Sequence, residues 1–138
     1  MNRDLNLYGI ESDKSVSQLV ADFSAAVEAN NFVINNPDTM DMQATLHRHG
    51  ARVPGDFAVH MIHVCKPAKA AKSLISSRER AILMPKFIHV FSKDEKTQVR
   101  FMHYKPEQIS AMLPDDPQFF ESLPQVNEQI CTMIDEAK

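Results

Sequence analysis

The run from Phe57 to Tyr104 constrains the fold more than any other part of the chain. Phe57–Cys65 reads FAVHMIHVC, a β-branched and aromatic stretch without glycine or proline, which is strand chemistry. Pro67 then stands where a first helical turn tolerates proline, because the missing N–H would be unpaired there anyway. Ala71, Leu74 and Ile75 give that helix a small apolar face. Pro85 releases the chain into two further strands, Lys86–Phe91 and Thr97–Tyr104, around the polar turn Ser92–Lys96. Consecutive strands joined by so short a turn pair as an antiparallel hairpin.

The flanking segments complete the order. Leu5 to Glu11 alternates apolar and polar residues and reads as a first strand. Ser15 and Gln18 have the spacing of a capping box. Behind them Val16, Leu19, Val20, Phe23 and Val27 recur on one helical face. Asn30-Asn31 can end that helix in the left-handed conformation, and Phe32–Ile34 follows as a short strand stopped by Asn36-Pro37. A helix over 41–49 stops at Gly50, and Ala51–Asp56 is a loop. Pro106 opens a short helix with Ile109, Met112 and Leu113; Asp115-Asp116-Pro117 starts another segment. From Gln125 a last helix carries Val126, Ile130, Met133, Ile134 and Ala137 on one stripe.

The order β-α-β-α-β-α-β-β-α-α implies one α+β domain over residues 1–138, a mixed or mainly antiparallel sheet with helices laid on it. A chain of 138 residues can bury a core without a staple, so Cys65 and Cys131 are expected as free thiols. Three glycines, Gly9, Gly50 and Gly55, supply no phosphate-binding loop, which argues against a doubly wound nucleotide fold. The start MNRDLNLYGIESDK lacks the apolar run of a signal peptide, and no stretch has the length of a membrane span. A cytoplasmic protein without a membrane partner is the expectation. Duplex nucleic acid is disfavoured by a net charge of −3.

The helix ending before Phe32, the strand closing on Cys65-Lys66-Pro67, the alanine-rich helix, Met84-Pro85 and the hairpin together resemble the bacterial and archaeal family called domain of unknown function 302. The resemblance runs from about Ser12 to the end. It implies a compact domain like one copy of the TATA-box-binding-protein fold, β-α-β4-α with extra helices, that dimerises through its sheet. It implies no reaction and transfers no catalytic residue. The chain departs from the family pattern in carrying Asn31 before Phe32 where a glycine is expected, and in a hairpin turn without glycine.

Four constellations could carry chemistry. His63 and Cys65 alternate onto one face of their strand with Phe57, Val59 and Met61, while His60 faces the other way with Ile62 and Val64. With His89 and His103 on neighbouring strands they form a candidate soft-metal or haem set, since thiolate and imidazole suit zinc, copper or haem iron. The plainer reading is a small apolar cysteine and histidines on a half-wet sheet face. His47 and His49 are two apart, about 200° around a helix, and share no face; a favourable helix C-terminus accounts for them. Between Lys66 and Lys86, six basic residues (Lys66, Lys69, Lys72, Arg78, Arg80, Lys86) stand against Glu79 alone. Lys66 and Lys69 flank a helix start, where an anion such as a phosphate or a haem propionate is favoured. A solvated basic helix face is the alternative. Cys65 could also act as a nucleophile beside Lys66 and the helix start, given a base such as His63 or His89.

The sequence thus points to a dimeric small-ligand, metal or haem module, with metal candidates His63, Cys65, His89 and His103 and anion candidates Lys66 and Lys69. Its pocket is expected between the 57–65 strand, the Lys66–Ile75 helix and the 86–104 hairpin. A thiol enzyme built on Cys65 and a purely structural dimerisation module are the rivals. The eight methionines read as core filler, with an axial-ligand role conceivable only for Met61 or Met102.

Overall fold

The computed structural model describes residues 5–138; residues 1–4, with the charges of Arg3 and Asp4, lie outside the described residues. Five strands form one sheet in the order β1-β5-β4-β3-β2: β1 Leu5–Ser12, β2 Val33–Ile34, β3 Val59–Cys65, β4 Lys86–Lys93 and β5 Lys96–Tyr104. Every neighbouring pair is antiparallel, so the mixed alternative drops out. Five helices accompany them: α1 Val16–Ala29, α2 Met42–Arg48, α3 Pro67–Ser76, α4 Pro106–Met112 and α5 Pro117–Ala137. A 3₁₀ segment, Arg78–Leu83, links α3 to β4. Without α2, α3, the 3₁₀ segment and α4, the order is β-α-β4-α.

Period-two alternation sets the layers. Ile62, Val64, Ile88, Val90, Val99 and Phe101 are buried on one sheet face under Leu19, Phe23 and Val27 of α1 and Ile130, Met133 and Ile134 of α5. Full burial of such side chains stabilises the fold by about 1.5–3 kcal/mol each before entropy is counted. The alternate residues Val59, Met61, His63 and Cys65 are only half-buried, and Phe87, Met102 and Leu7 on the same sheet face are exposed. A smaller second core joins Leu83, Ile109, Leu113, Phe119 and Leu123.

Several local expectations change. Ser15 accepts from the Gln18 N–H at 3.1 Å, but the Gln18 amide turns to Asp22 at 2.9 Å, so only half of the capping box forms. Asn31 has φ 62°, doing the work expected of a glycine. The last helix begins at Pro117, eight residues before Gln125, and runs through Pro124. Phe119 and Leu123 bury on the second core and hold that first stretch helical despite the hydrogen bond Pro124 removes. The hairpin turn is tight as well: Lys93 pairs with Lys96, and Asp94 and Glu95 take φ 54° and 61°. Positive φ at both central residues is the two-residue hairpin geometry that matches strand twist, built here without glycine.

Candidate ligand site

β3 delivers its residues to the site through a well-held edge. Asn36 donates from Nδ2 to the Met61 carbonyl at 2.9 Å and accepts the His63 N–H at 2.8 Å. The Asn35 N–H reaches the His63 carbonyl at 2.8 Å, extending the short β2 ladder. Beyond Cys65, Lys66 occupies the N-cap of α3 without a side-chain cap, and Pro67 starts the helix.

A cavity of about 270 Å³ opens between the end of β3, α3, the start of β4 and the first half of α5. Ala70, Leu74, Met84, Phe119, Leu123 and Val126 make its wall apolar. His63, Cys65, Lys66, Lys69 and Lys86 line it too, and no aspartate or glutamate does. Lys86 pairs with Val64, which puts it on the helix-covered side of the sheet, whereas His63 and Cys65 belong to the other face. The cavity therefore wraps around the end of the sheet.

Lys86 is the least expected member. Its Nζ donates to the Met84 carbonyl at 2.8 Å. Burial pushes its pKa down from 10.5 to about 8; the Cys65 thiol opposes that and Lys69 adds to it. Lys66 places its ammonium 5.2 Å from the centre of the Phe32 ring. Lys69 is exposed at the rim. The imidazole of His63 stacks on Phe87 with ring centres 4.8 Å apart, and burial, helped by Lys86, keeps its pKa below the ordinary histidine value.

The sequence candidates therefore divide. His63, Cys65, Lys66 and Lys69 come together at the expected place. His89 and His103 line a second cleft with Met61, Met102, Phe87 and Tyr104. It opens where β4 and β5 diverge: their ladder ends at Ile88–Phe101 although both strands continue. His89 lies on the uncovered face opposite Met61, and His103 shares the buried parity of Phe101, on whose ring it leans at 5.1 Å. Among the described residues no group of three or more His, Cys, Asp or Glu side chains is placed to hold a metal ion. Two residues, His63 and Cys65, would have to serve a metal alone, short of the three or four protein ligands of a zinc site.

The basic run is not a solvated face throughout. Arg80 is buried and bonded to Asp116, and Lys66, Lys69 and Lys86 line the cavity, leaving Lys72 and Arg78 exposed away from it. Sequence reasoning counted Lys86 in that run without assigning it to the site. Its position two residues before Ile88 on a core-facing strand was the available signal. Cys131 packs partly buried against the main core, and burial raises its thiol pKa. Both cysteines are free.

The model of the family described as Domain of unknown function DUF302 matches residues 8–137, nearly the whole described chain and a few residues more at the start than the sequence resemblance covered. Among solved structures, the crystal structure of the uncharacterized conserved protein DUF302 from Bacillus stearothermophilus is similar, with a TM-score of 0.74 at 15% identity. That likeness covers 96% of this chain and 98% of the other, and at such identity it concerns the fold alone. No curated protein matches the chain. The chain belongs to the DUF302 family.

Proposed function

We propose that this member of the family is a small-molecule-binding module whose site is the cavity beside α3, and that its ligand joins a compact apolar body to an anionic group. One observation carries this reading: three lysines, one of them half-buried with its pKa pushed down, line an apolar cavity whose lining has no acid. A half-buried ammonium costs stability unless an opposite charge meets it, and the protein supplies Lys86 with a carbonyl. An anion in the cavity would complete that charge pair. The volume lies just under the usual range of about 300–1,000 Å³ for ligand pockets, which favours a compact ligand over a haem macrocycle.

The test is a titration with pentanoate, followed by amide chemical shifts, with uncharged pentanol as control. Shifts around Lys66–Ala70 and Lys86 that pentanol fails to produce, and that vanish in Lys86→Met, support the reading. Absence of any response to the anion sinks it. A stoichiometric transition metal lost with Cys65→Ala or His63→Ala would transfer the site to a metal instead.

A cytoplasmic homodimer is the remaining part of the proposal. The support for the dimer is the uncovered sheet face, where Val33, Phe87, Met102 and Leu7 are 41%, 37%, 54% and 44% exposed. Exposed apolar residues gathered on one face mark an interaction surface. Light scattering of Met102→Glu/Phe87→Glu should give a monomer where the parent protein gives a dimer; a parent monomer at high concentration would remove this part.

A further inference from the structure

We propose that Lys86 is a carbonyl-reactive amine, forming a reversible imine with an aldehyde or ketone carbonyl of the anionic ligand that enters the cavity. The inference rests on the α3 cavity being the ligand site, and it names the group that such a ligand presents to Lys86.

Three features of Lys86 meet the needs of this chemistry. It is placed, because β4 pairing with Val64 and the hydrogen bond to Met84 fix where its Nζ lies. It is shielded, since Leu74, Met84, Leu123 and Val126 surround the cavity it lines and keep its walls apolar. It is free of a carboxylate that would hold it protonated: no acid lines the cavity, and its Nζ donates to a backbone carbonyl. An amine desolvated in an apolar pocket beside another cation is the usual setting of a Schiff-base lysine. Lys69 is the second cation here, and burial is the main cause of the downward pKa shift. With a pKa of about 8, the free-amine fraction at pH 7 exceeds that of an ordinary lysine by roughly 200-fold.

In the step, the Nζ lone pair attacks the carbonyl carbon and a C–N bond forms. The carbonyl oxygen then departs as water, taking both hydrogens of the neutral amine. No oxidant or reductant enters. Lys66 and Lys69 at the mouth are placed to meet a carboxylate carried a few bonds away from the carbonyl.

The experiment uses levulinate, a 4-oxo acid, with cyanoborohydride at neutral pH; hydride reduces any imine to a stable secondary amine that peptide mapping can locate. The expected result is a single adduct on Lys86, suppressed by excess pentanoate and absent in Lys86→Arg. Adducts spread over the surface lysines, or an unchanged yield in Lys86→Arg, would overturn the proposal. Should Lys86→Arg fail to fold, the mapped position of the adduct in the parent protein decides the matter. Pentanoate binding without any levulinate adduct refutes the imine and leaves the ligand site standing. No binding of either compound refutes both.

Discussion

Arg80 and Asp116 are joined through two hydrogen bonds, Nε to Oδ2 at 2.6 Å and Nη2 to Oδ1 at 2.7 Å, and both side chains are largely withdrawn from solvent. Arg80 also reaches Ser73 of α3, at 3.1 Å to Oγ and 3.3 Å to the carbonyl, and lies 5.1 Å over the Phe119 ring. Asp116 meanwhile caps α5 by accepting the Phe119 N–H at 3.3 Å. One ion pair thus ties α3, the 3₁₀ segment and the start of α5 together around the cavity.

Removing one partner should be costly. Asp116→Ala leaves a guanidinium buried and uncaps α5, for an expected loss of about 3–5 kcal/mol by urea denaturation. The Arg80 contact holds the Asp116 carboxyl below its ordinary pKa, so this contribution is present above about pH 4 and fades on further acidification. A loss under 1 kcal/mol would mean the pair is solvated.

Lys86 makes the opposite prediction at alkaline pH. The unfolded state keeps this proton to about pH 10.5, whereas the folded state releases it near pH 8. Between those values the unfolded chain binds more protons, so stability rises with pH. A gap of about 2.5 pH units corresponds to about 3 kcal/mol. Lys86→Met should therefore be more stable than the parent at neutral pH, with the difference shrinking between about pH 8 and 10.5. A difference independent of pH would show that Lys86 is fully hydrated.

Acid should weaken the fold from another direction. Burial holds the pKa values of His60, His63, His89 and His103 below the ordinary 6.5. As the pH falls below 6.5 the unfolded chain takes up these protons first, and stability drops until the folded pKa values are passed. His60 adds a further cost, because its Nδ1 is buried with no hydrogen-bond partner. His60→Leu should raise the neutral-pH stability by about 1 kcal/mol and flatten the melting-temperature decline between about pH 7 and 5. A steeper decline in the variant would contradict this account.

The hairpin turn offers an independent check on backbone strain. Glu95 holds φ 61° at a position where its side chain gains nothing from burial. Glu95→Gly should stabilise the protein by about 1 kcal/mol, read as a higher denaturation midpoint at unchanged slope. Glu95→Val, β-branched at the same φ, should lower it.

Local chemistry made much of this legible in advance. Pro67 and Pro85 mark where α3 begins and where β4 is entered, and the alternation of β3 separates Ile62 and Val64 from His63 and Cys65. The start of α5 is not legible locally, since Pro124 would ordinarily break a helix and the packing of Phe119 and Leu123 outweighs it. His89 and His103 were grouped with His63 because all lie on adjoining strands. Parity separates only His103, which shares the buried face of Phe101; His89 lies on the same face as His63 but pairs with Met61, and it lines the second cleft where β4 and β5 diverge.

By itself the sequence determined the α+β order, the strand faces and the neighbourhood of Cys65, Lys66 and Lys69, since these follow from periodicity and from proline geometry within a few residues. Only the tertiary structure decided that Lys86 enters the cavity while Lys72 stays outside, and that Arg80 is paired with Asp116, 36 residues away. The physical reason is that a lysine or arginine carries the same charge in any sequence, but its solvation is set by which distant elements fold over it.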